Sequence, residues 1–66
     1  MLNANLLKAA IKMNGLTLAS TAKKIGVSES TFWRKIRNNS FTLGEADRLI
    51  QVLSIQNPGQ IFFSEN

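Results

Sequence analysis

Residues 16–36 read LTLASTAKKIGVSESTFWRKI, a helix, a tight turn containing glycine and a second helix. Thr17 is a good N-cap for a helix running to Ile25. Leu18, Ala22 and Ile25 share one face of it, with Lys23 and Lys24 off that face. Gly26 stops the helix, and only Val27 separates it from Ser28, the next N-cap. The following helix covers residues 29–37, where Phe32 and Ile36 stand four apart and stack on one side. Ala22 must be small where the two helices cross, and Val27 plugs the corner between them.

On the N-terminal side, residues 3–14 repeat Leu7, Ala10 and Ile11 at helical spacing, and Gly15 ends that helix in the left-handed conformation. Asn38 and Asn39 tolerate the conformation that closes the third helix. A fourth starts at Thr42, where Glu45 completes a capping box. Leu43, Ala46, Leu49, Ile50 and Leu53 supply its apolar side. Asn57 and Pro58 open a short fifth helix ending near Phe63. No segment alternates apolar and polar residues for long, so the expected class is all-α. The 66 residues are expected to form one five-helix domain. A chain of that size buries only about 60% of its unfolded surface.

Composition narrows the function. There is no cysteine and no histidine, so thiolate and imidazole metal sites and histidine catalysis are excluded. Gly15, Gly26, Gly44 and Gly59 are scattered and make no phosphate loop. An enzyme is not expected, and no cofactor or small-molecule ligand is implied. The longest apolar runs are three residues, against roughly 18 for a membrane span. With no signal-peptide pattern either, the expected location is the cytoplasm. Lys and Arg total 8 against 4 Asp and Glu, a net charge of +4. The excess gathers at Lys23, Lys24, Arg34, Lys35 and Arg37, which suits a polyanion or simply a solvated face.

The segment of residues 17–37 is a helix-turn-helix in pattern, and it resembles that of the Cro and lambda-repressor-like family. Ala22, Gly26, Val27, Ser28, Thr31 and Phe32 carry the resemblance as a set, and it extends to Leu53. It looks closest to small regulators of temperate phages of low-GC Gram-positive bacteria, in a DNA-associated role in the host cell. Two positions depart from the family. Leu18 stands where many members have glutamine, so a phosphate contact there does not carry over. Lys35 stands where many have an apolar residue, which leaves the inner register open by one residue.

The resemblance implies a lambda-repressor-like domain whose third helix reads operator half-sites in the major groove. On a helical wheel with Phe32 and Ile36 inward, Ser30 and Arg34 point away, Trp33 and Arg37 flank one side and Thr31 the other. Arg34 is the leading base reader, since arginine donates twice to guanine; the alternative is a phosphate contact. Ser28 and Ser30 can reach bases or phosphates, and Ser28 also caps its helix. Glu29 can accept from a cytosine amino group or serve the helix dipole. Trp33 can pack on a thymine methyl or be partly covered by the loop around Phe41. Thr17, Ser20, Lys35, Arg37, Asn38, Asn39 and Ser40 are candidate phosphate contacts.

Ile61, Phe62 and Phe63 spread about 200° around a helix, so they cannot all enter one core. Phe63, together with Phe62, in a segment spanning residues 55–66, is the expected homodimer interface; the alternative is that Ile61 and Phe62 pack inward and Phe63 is one ordinary exposed apolar residue. The family analogy implies two half-sites about one turn of DNA apart. The rival reading is a protein-interaction module, such as a phage antirepressor or modulator that binds another regulator. Large apolar residues on the outer face of the third helix would favour it, and Trp33 is the only one.

Overall fold

The computed structural model describes residues 2–63, and among them the chain is entirely helical. Five helices follow in order: α1 (Ala4–Met13), α2 (Leu18–Ile25), α3 (Glu29–Asn38), α4 (Leu43–Leu53) and α5 (Pro58–Phe62). The boundaries follow local chemistry. The Asn3 side chain accepts the Leu6 amide, so Asn3 is the cap of α1 and not its first residue. Thr17 and Ser20 form a reciprocal box at α2, with a serine hydroxyl replacing the usual carboxylate. Ser28 caps α3 through the Thr31 amide, and Thr42 and Glu45 box the start of α4. Gly26 closes α2 at φ 86°, a conformation that costs glycine little. Asn39 closes α3 at φ 50°, and the helix runs to Asn38, one residue beyond its expected end.

Each helix gives two buried side chains to one core: Leu7 and Ile11, Ala22 and Ile25, Phe32 and Ile36, Leu49 and Leu53, Ile61 and Phe62. Fully burying a large apolar side chain stabilises by about 1.5–3 kcal/mol, so this cluster dominates the fold. Phe32 stacks edge-on with Phe41 at 5.7 Å, and Phe41 with Phe62 at 6.4 Å, joining α3 to α5 through the α3–α4 connection. Among the described residues Thr21 is the buried polar one, and its hydroxyl donates to the Thr17 carbonyl at 2.8 Å.

Hydrogen bonds between elements fix their relative placement. Asn14 donates to the Leu53 carbonyl, tying the end of α1 to the end of α4. The Asn3 amide donates to the Ile61 carbonyl. Arg48 donates to the Ile25 carbonyl at 3.4 Å, placing a cation at the C-terminus of α2. One expectation for α4 fails. Leu43 does not join the apolar side, being 89% exposed. It opens the helix about 100° from the Leu49–Leu53 direction, so the core does not cover it. Among the described residues no helix is long and apolar enough to cross a membrane.

Candidate nucleic-acid interface

Helix α3 meets the core through Phe32, fully buried, and Ile36. That fixes the inner register: Ile36 is the core residue and Lys35 lies on the flank. Ser30, Arg34 and Arg37 consequently face solvent, with Glu29 exposed in the first turn. Thr31 is half-buried.

Hydroxyls gather at the start of α3. Ser28 Oγ accepts from the Thr31 amide at 3.2 Å and donates to Thr31 Oγ1 at 2.9 Å. Ser30 Oγ lies 3.3 Å from Ser28 Oγ. Arg34 Nη2 reaches Thr31 Oγ1 at 3.5 Å, a long contact that leaves most of its donors free. Ser28 is therefore occupied as a cap, whereas Ser30 and Arg34 are the groups best able to engage a ligand.

The two flanks of α3 differ. On one, Lys35 Nζ pairs with Glu45 Oε1 at 3.1 Å and also lies 3.5 Å from the Ser40 carbonyl. Lys35, expected at a phosphate, has an intramolecular carboxylate instead. The Thr42 amide donating to its carboxylate holds Glu45 below the ordinary carboxylate range, and the Lys35 ammonium adds to that against a partial desolvation. On the other flank, Trp33 faces α1, where Lys8 Nζ lies 4.6 Å from its ring centroid. The ring is 39% exposed. It is Phe32 and not Trp33 that packs on Phe41.

Past α3, Arg37, Asn38, Asn39 and Ser40 are all exposed, and the Ser40 amide donates to the Lys35 carbonyl. At α2 the Thr17 and Ser20 hydroxyls are engaged in their box. The Leu18 and Ala19 amides precede the first helical bond, from Thr21 to Thr17, and remain the donors of that helix end.

At the chain's other end Phe62 is buried, 8% exposed, packed on Phe41 within the same chain. That removes it from the expected interface. Phe63, at 75%, is exposed as expected. With Leu43 it stands beside an open hollow of about 440 Å³ whose lining includes Phe41, Ala46, Ile50 and Pro58. Residues 64–66 of the expected interface segment lie outside the described residues. Sequence reasoning missed Lys8, 25 positions before Trp33, for which no local pattern exists. It also missed Leu43, which its wheel position would have shown.

Comparison with family models, curated proteins and solved structures gives no match for this chain, so the functional reading rests on its residues and their geometry.

Proposed function

We propose that this chain is a sequence-specific double-stranded DNA-binding regulator of transcription, with α2 and α3 acting as a lambda-repressor-like helix-turn-helix. The observation that carries the reading is the outer face of α3. Phe32 and Ile36 anchor it, while Ser30, Arg34 and Arg37 stand exposed along the opposite side. In this reading α3 lies in the major groove with Arg34 donating to a guanine and Ser30 beside it. Arg37, Asn38, Asn39 and the amide end of α2 meet phosphates, which set position without specifying sequence. Glu29 and Thr31 border the same bases. Repression by occupying a promoter is the simplest outcome, as in Cro-like switch proteins.

The reading includes a two-fold homodimer. Leu43 and Phe63 are two exposed apolar side chains lining one open, largely apolar hollow, and in this reading the patch meets its own copy. A symmetric interface requires that, because the same surface serves both partners. Two copies then present two α3 helices to a palindromic operator.

The test is enrichment of sites from a random duplex pool. A two-fold symmetric consensus with guanines lost in the Arg34→Ala variant is the expected result. No enrichment over several rounds would reject the reading in favour of a protein partner.

A further inference from the structure

The helical wheel puts Trp33 and Lys35 about 80° to either side of the Phe32–Ile36 direction. The Lys35 flank is closed by Glu45 of α4. The Trp33 flank is open. Between it and α1 lies a hollow of about 520 Å³, floored by Leu2, Ala4 and Ile36 and rimmed by Lys8 and Arg37. None of the residues lining it is acidic. Two cations thus line one hollow without an acidic neighbour, a charge arrangement complementary to an anion.

Lys8 is not free to avoid this place. Leu7 and Ile11 are buried and set the rotation of α1, which leaves Lys8 on the flank facing α3. The Trp33 ring then holds its ammonium by a cation–π contact. An apolar floor with a cationic rim matches a sugar–phosphate unit, which presents an apolar face and a charged edge. The strand bordering the major groove would run along the flank of a helix lying in that groove.

We infer that the α1–α3 hollow seats the DNA backbone, with Lys8 and Arg37 as phosphate ligands and Trp33 as the residue that positions Lys8. This rests on the reading of α3 as the recognition helix. It makes α1 part of the interface.

The experiment measures binding of the full chain to an enriched site and to random duplex across a salt series, for wild type, Lys8→Ala, Lys8→Arg, Trp33→Leu and the Lys8→Ala/Trp33→Leu pair. Helicity is checked by circular dichroism, and both side chains are surface groups, so folding is expected to survive. Removing one phosphate contact should make the slope of log affinity against log salt shallower by about one. Lys8→Ala should show that change and weaken both duplexes by a similar factor, and Lys8→Arg should restore both. In the Trp33→Leu background, Lys8→Ala should cost much less. An unchanged slope for Lys8→Ala, with wild type still binding, overturns the phosphate site and leaves the DNA reading intact. Strictly additive losses overturn the positioning role of Trp33. Failure of wild type to bind any duplex overturns both, and binding to polyglutamate alone would reassign the cationic rim to an acidic peptide.

Discussion

Replacing Glu45 by glutamine isolates the charge that locks α4 to α3. The amide keeps a hydrogen bond to the Thr42 N–H, now 2.9 Å from the carboxylate, but loses its ionic character. Hydrogen bonds to ionised groups are roughly twice as strong as neutral ones, so about 0.5 kcal/mol is lost there. The Lys35 pair at 3.1 Å, only partly solvated, adds about 0.5 kcal/mol. The total of about 1 kcal/mol lowers the Tm of a domain this small by about 4–8 °C. The sign with pH follows from the lowered Glu45 pKa. Its stabilisation is complete above the unfolded value, about 4.3, and is lost as pH falls through the folded value below that. Thermal melts of both proteins, from neutral pH into the acid range, should therefore converge at low pH. A gap that stays constant with pH would rule out the Glu45 charge as its source, because it would be a packing effect and not an electrostatic one.

Arg34→Ala should cost roughly 1–3 kcal/mol on an enriched operator and much less on random duplex; equal losses in a filter or anisotropy titration would reduce Arg34 to a phosphate contact. Leu43→Ser and Phe63→Ser should each weaken self-association in sedimentation equilibrium, whereas an unchanged dimer constant would exclude the patch as the interface. Gly26→Ala should destabilise by about 1 kcal/mol or more, since φ is 86° there. An added Cβ would lie 3.4 Å from Arg48 Nη1, an ordinary van der Waals contact, so backbone strain sets the cost. An unchanged denaturation midpoint would contradict this.

What the sequence made legible was local. Thr17, Ser28 and Thr42 announce helix starts because each accepts an amide three residues on. Gly26 announces a stop because few other residues accept its conformation. The Ile61–Phe62–Phe63 triplet required an exposed member, and Phe63 is that member. What was not legible depends on residues distant in sequence. Whether Lys35 or Ile36 faced inward could not be decided without Glu45 to hold the ammonium. Lys8 met Trp33 only through the packing of α1. Phe62 was covered by Phe41, 21 positions earlier, and Ser54 takes a left-handed cap that serine rarely favours. The exposed face of α3 was readable because one buried pair, Phe32 and Ile36, fixes every other side chain on that helix.

Sequence-specific binding is tested by affinity for the intergenic DNA beside the gene, against random duplex of equal length, across a salt series. One tight site, about a thousandfold or more above random duplex, is expected, with affinity falling as salt rises. Equal and weak binding to both duplexes would contradict it, because a basic surface without base reading gives that result.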